Sequence, residues 1–181
     1  MTTSDLRFPI GPFRFDGVTT PARRHERIER IAAAPQALRA AVRDLTDAQL
    51  DTPYRPGGWT VRQVVHHLPD SHANAYIRFK LALTEDVPTI RPYDEARWAE
   101  LRDGRTGAVE ISLRLLEAIH DRWLLVLRAL GPGDLERTLF HPERNVTMTL
   151  DELLELYAWH GSHHIAHITG LREREGWTSR G

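Results

Sequence analysis

The chain has 181 residues, 41% of them hydrophobic and 27% charged, the profile of a globular protein with one core and hence one domain over 1–181. A formal net charge of −1 offers no electrostatic case for nucleic acid or an anionic membrane as partner. With no cysteine, disulfides, thiolate metal ligands and a cysteine nucleophile are excluded. No apolar run is long enough to span a bilayer and no secretory leader is seen, so a cytoplasmic location is expected.

Residues 1–20 interleave Phe8, Ile10, Phe13 and Phe15 with Pro9, Gly11, Pro12 and Gly17. This predicts an extended arm that packs by its aromatic residues, on its own domain or on a partner chain. The first helix spans about 22–45, with Ile28, Ile31, Leu38, Val42 and Leu45 at helical spacing and Pro35 as a kink. Thr46-Asp47-Ala48-Gln49 reads as a capping box on a short turn, and Pro53, Pro56, Gly57 and Gly58 as a loop.

Thr60-Val61-Arg62-Gln63 is a second capping box, opening a helix to about Thr84. Beside its apolar stripe runs a polar one: His67, Ser71, Asn74 and Arg78. Pro69 stands inside this helix and frees the carbonyl of Val65. Residues 85–106 read as a long loop, a lid or a dimer contact, with a short helix near 94–101. A third long helix covers about 107–130 and stops at Gly131-Pro132. Residues 138–148 alternate around His141–Asn145 as a small hairpin. Thr149-Leu150-Asp151-Glu152 is a third capping box, opening the last helix to about Glu175. The sum is an all-α fold, an antiparallel-type four-helix bundle whose sites form between facing helices.

The last helix carries four of the ten histidines. Leu153, Tyr157, His160, His164, Ile168 and Leu171 share one face, so two imidazoles stand where core residues belong. At i and i+4 they are separated by about 6 Å of rise, close enough to share one ion. A third ligand must come from another helix, and His67, heading the polar stripe, suits best among His66, His67, His72, His120 and His141. His66 points about 100° away from His67 and is expected at the solvated surface. His72 and His120 are expected at the core edge with local hydrogen bonds, and His163 off the core face. Ser71, Asn74, Arg78 and His167 are candidates to touch substrate or orient a ligand. Three histidines and an open position form the pattern of a catalytic zinc site, though nickel, iron and copper also accept imidazole. A di-iron centre needs two Glu-x-x-His motifs; the sequence has one, Glu117–His120.

The run from Leu50 to His67, the segment from Tyr76 to Glu85 and the segment from Trp159 to Ile168 resemble the YfiT branch of the DinB superfamily, and the resemblance covers nearly the whole chain. It implies a four-helix bundle binding one divalent metal, zinc or nickel, through His67, His160 and His164. It also implies a homodimer, and a metal-dependent hydrolase or an S-transferase that joins a low-molecular-weight thiol such as bacillithiol to an electrophile. Arg78 and Arg62 would then hold the carboxylates of that small-molecule thiol. The alternative is a non-catalytic, metal-stabilised bundle that acts as an interaction module.

Overall fold

In a computed structural model, which describes residues 5–177, helices begin where the capping residues place them; residues 1–4 of the arm and 178–181 lie outside the described residues. The elements in order are α1 (Pro21–Ala41), α2 (Asp47–Leu50), α3 (Val61–Thr84), α4 (Glu95–Ala99), α5 (Arg102–Thr106), α6 (Val109–Leu127), α7 (Pro132–Leu135), β1 (Thr138–His141), β2 (Val146–Thr149) and α8 (Leu150–Arg174). Thr60 accepts from Gln63 N at 3.1 Å while Gln63 Oε1 accepts from Thr60 N at 2.9 Å, closing the box that opens α3. The box at Thr46 closes in the same way, but α8 is capped from one side only, by Thr149 Oγ1 on Glu152 N. Proline does not interrupt α1 or α3, which run through Pro35 and Pro69.

The four long helices, α1, α3, α6 and α8, form the bundle. α1 packs on α8 and α6, and α3 packs on α6 and α8. α1 therefore sits across the bundle from α3, and α6 across from α8, while α3 and α6 are neighbours. Contacts along the pairs give the directions. Arg27 near the start of α1 meets Asp151 at the start of α8, and Arg172 near its end reaches the Ala41 carbonyl. His66 meets Ser112, and His72 meets His120. Thus α1 runs parallel to α8, and α3 parallel to α6. This corrects the antiparallel-type arrangement expected from the sequence. The cause is the connection between α3 and α6, which returns the chain along the length of α3. It does so through two short helices, α4 and α5, that pack on α3, where the sequence predicts one. Gly131-Pro132, read as a stop, also begins the short α7.

The core divides into two apolar halves. One gathers Ile28, Ile31, Ala75, Phe79, Trp123, Leu127, Leu153 and Tyr157. The other gathers Leu38, Val64, Leu68, Leu113, Leu116, Ile168 and Leu171. On each long helix the residues between the halves are polar or small: Ala34 and Pro35 on α1, Ser71 and His72 on α3, His120 on α6, and His160, Gly161 and His164 on α8. Gly161 brings α8 close to its neighbours. A Cβ there would lie 3.3 Å from Ala34 Cβ and 3.6 Å from His72 Cε1.

The hairpin β1–β2 pairs antiparallel from Thr138↔Thr149 to His141↔Val146, as expected, and turns through Asn145 in the left-handed region. The arm packs on its own α8: Trp159 Nε1 donates to Gly11 O at 3.2 Å, and Phe13 and Phe8 lie against Trp159 and His163.

The α1–α8 contact is held by a buried ion pair. Arg27 Nη1 donates to Asp151 Oδ1 and Oδ2 at 3.1 and 3.0 Å, Arg27 also pairs with Glu155, and the Arg27 side chain is 1% exposed. Arg27→Met leaves Asp151 buried without its counter-charge, so it should cost about 3–5 kcal/mol of folding stability. Urea denaturation checks this; a loss below about 1 kcal/mol, the range of an exposed pair, contradicts it.

Candidate metal centre

The packing of α3 on α8 brings together the three histidines singled out by spacing. One ring nitrogen from each of His67, His160 and His164 lies within 4.8 Å of the other two, a grouping that could hold a metal ion. His67 Nε2 faces His160 Nε2 at 3.3 Å. The ring centroids of His67 and His164 are 4.8 Å apart, and those of His160 and His164 are 4.5 Å apart. Trp59, from the loop before α3, closes one side at 4.8 Å from the His67 ring.

Burial keeps these imidazoles neutral. It pushes His67 down to about 4 and His160 and His164 well below their ordinary value, with the neighbouring histidines adding to the effect on the last two. A neutral imidazole with its lone pair aimed at a shared point is the state a metal requires, and no proton need be displaced at neutral pH. The donor set therefore fits a divalent transition metal that favours nitrogen.

The cluster forms part of the wall of a partly open cavity of about 550 Å³. Ser71, Arg78, Tyr93 and Tyr157 line it, and His141 and Arg144 come in from the hairpin. Arg78 Nη1 lies 3.3 Å from the Tyr157 hydroxyl, while Arg78 Nε is buried without a hydrogen-bond partner. Among the described residues, no carboxylate lies within ion-pair distance of Arg78. Burial pushes the Tyr93 hydroxyl up, and Ser71 faces it.

Of the expected substrate-facing residues, Ser71, Arg78 and His167 reach the cavity. Asn74 is absent from its wall, because its side-chain amide bonds back to the Asp70 carbonyl at 2.9 Å. His66 is buried, not at the solvated surface. The end of α5 and the start of α6 cover that side of α3, with His66 Nδ1 2.7 Å from Ser112 Oγ and Nε2 3.1 Å from Gly107 O. Arg62 is equally covered. It donates to Asp51 at 2.6 Å, Asp47 at 2.9 Å and Gly107 O at 3.0 Å, and so ties three segments together instead of facing a substrate. His72 and His120 lie fully inside the core, beyond the edge expected for them.

His163, expected off the core face, is also buried, stacked on Trp159 at 4.3 Å. With His164 and His167 it forms a second group in which one ring nitrogen from each lies within 4.8 Å of the others. His167 is held by the arm, its Nε2 donating to Arg7 O at 3.2 Å, and stacks on Tyr54 at 3.9 Å. Tyr93 and Arg144, which sequence reasoning did not find, come from the α3–α6 connection and the hairpin turn, where no local pattern marks them.

The lowered histidines make stability depend on pH. An imidazole whose folded pKa lies below its unfolded value favours folding while neutral. For His67 and His120 that contribution is complete above pH 6.5 and is lost as the pH falls toward about 4. Each fully buried histidine adds up to about 1.4 kcal/mol per pH unit to the slope. The metal-free protein should thus lose urea resistance steeply between about pH 6.5 and pH 5. An unchanged midpoint over that interval contradicts the buried, neutral assignment.

Residues 30–168 match the family model described as the DinB superfamily. A protein of Bacillus mycoides, named a candidate metal-dependent hydrolase, is 54% identical over 173 residues, covering 96% of this chain and 99% of its own. A protein of Oceanobacillus iheyensis with the same designation is 54% identical over 171 residues, covering 94% of this chain and 98% of its own. The solved structure of YfiT from Bacillus subtilis superposes with a TM-score of 0.94 at 50% identity, over 96% of this chain and 99% of that one. YfiT is described as a candidate metal-dependent hydrolase with an unusual four-helix bundle topology. This chain belongs to the DinB superfamily.

Proposed function

We propose that His67, His160 and His164 hold one divalent ion, zinc in the first instance and nickel as an alternative. The chain then acts as a metal-dependent enzyme on a small molecule admitted by the cavity. One observation carries the reading: the Nε2 atoms of His67 and His160 converge to 3.3 Å on the wall of a partly open cavity. Three protein ligands leave coordination positions free for substrate, as catalytic sites require. A divalent ion held there supplies Lewis acidity, which makes water or a thiol a competent nucleophile at neutral pH.

The protein's own groups then position the substrate. Arg78, buried at Nε and without a carboxylate partner among the described residues, suits an anionic group on the substrate, with Tyr157 steadying the guanidinium. Trp59 and Trp159 supply apolar walls that reduce access of bulk water. The names of the relatives favour hydrolysis. A second reading, transfer of a low-molecular-weight thiol, is favoured by Arg78 and Arg144 in one cavity, where they could hold the carboxylates of such a cosubstrate. The chain has no cysteine, so the thiol would have to diffuse in.

Elemental analysis should find one ion per chain in the wild type and no stoichiometric metal in His160→Ala or His164→Ala. Full occupancy in both variants overturns the ligand set. On the cobalt-substituted enzyme, a sulfur-to-metal charge-transfer band on adding thiol, with a rate that saturates in thiol, selects transfer. No spectral change, together with metal-dependent cleavage of an ester or amide, selects hydrolysis. Metal-loaded protein inert in both assays supports the non-catalytic bundle.

A further inference from the structure

Behind the proposed ligand His160 lies a line of buried groups that neither hydrolysis nor thiol transfer calls on. It begins at a proline. Pro35 stands inside α1 and has no N–H, so the carbonyl of Ile31, one turn earlier, lacks its helical donor. His120 Nδ1, from α6, lies 2.8 Å from that oxygen. His120 Nε2 lies 2.8 Å from His72 Nδ1, and His72 Nε2 lies 3.3 Å from His160 Nδ1. The planes of the His72 and His120 rings are nearly parallel, 13° apart with centroids 4.9 Å apart, and Trp123 and Tyr157 meet them at close to right angles. His72 and His120 are 0% and 1% exposed, so water does not enter the line between them.

The order of protons along this line follows from its first member. A carbonyl oxygen can only accept, so His120 carries its proton on Nδ1. In a neutral ring Nε2 is then a bare lone pair, which can only accept from His72 Nδ1–H. By the same step His72 Nε2 is bare and accepts from His160 Nδ1–H. His160 is left with its lone pair on Nε2, the nitrogen that faces His67. Full burial of both rings disfavours a second proton on either.

We propose that Pro35, His120 and His72 are positioning residues that fix the tautomer and the aim of His160, so that its Nε2 is always presented to the ion. The inference rests on His160 being a metal ligand and adds the device that prepares it. A metal-bound histidine commonly donates its other N–H to a carboxylate or carbonyl. Here the carbonyl acts at a distance, through two imidazoles from two other helices. Its availability traces to the missing N–H of Pro35.

The test uses the full-length zinc-loaded protein and two readouts. Long-range proton–nitrogen correlation spectra should show His72 and His120 both protonated on Nδ1 and bare on Nε2. Zinc affinity, measured by chelator competition, should fall about 10–100-fold in His72→Leu. His72→Gln, whose Oε1 can still accept from His160 Nδ1–H, should recover most of that loss. A variant that merely leaves a hole in the core would not be rescued by an amide of this kind. A proton on His72 Nε2, wild-type zinc affinity in His72→Leu, or equal weakening in the leucine and glutamine variants overturns the proposal. Wild-type protein that takes up neither zinc nor nickel overturns the ligand assignment itself, a failure separate from that of the proton order.

Discussion

The fold depends on accommodating a layer of imidazoles in the middle of an apolar bundle. A buried polar group without a partner costs about 1–3 kcal/mol, a sizeable fraction of the stability of a typical domain. The chain meets this constraint by pairing histidines with one another across helices and anchoring the series on a backbone carbonyl. Small residues make room for the rings, with Gly161 and Ala34 in near contact where α8 passes α1. The two apolar halves on either side then hold the layer in register.

The diagonal order of the helices serves this layer. His67 must stand beside His160 and His164, and α3 packs on α8 to allow it. The same order sets α3 alongside α6, so His72 reaches His120. Returning the chain for that parallel pair takes the α4–α5 connection. That segment covers His66 and Arg62 and, through Tyr93, helps line the cavity. Topology, core polarity and cavity wall are thus consequences of one another.

Much of this is legible in the residues. Capping threonines mark the starts of α2, α3 and α8, because an N-cap is a local contact between neighbours in sequence. His160 and His164 declare themselves by standing at core positions of a periodic helix. His67 heads a polar stripe on α3, and the structure brings it to them. What stays hidden depends on which helix lies next to which. Spacing places His66 on a different face of α3 from His67, but it does not say that α5 and α6 will cover that face. Asn74 keeps the spacing of its stripe, yet a one-turn backbone bond removes its amide from use. Pro35 reads as a kink, whereas in the fold it leaves the Ile31 carbonyl free for a partner 89 residues away.

The proposed binding of a single ion by three imidazoles from α3 and α8 is open to direct measurement. X-ray absorption at the zinc edge of the loaded protein tests it most directly, since it counts and ranges the atoms around the metal. Three imidazole nitrogens are expected at about 2.0–2.1 Å, with the remaining coordination filled by light atoms from solvent. A spectrum that requires fewer than two imidazoles, or a shell made chiefly of carboxylate oxygens, would contradict it.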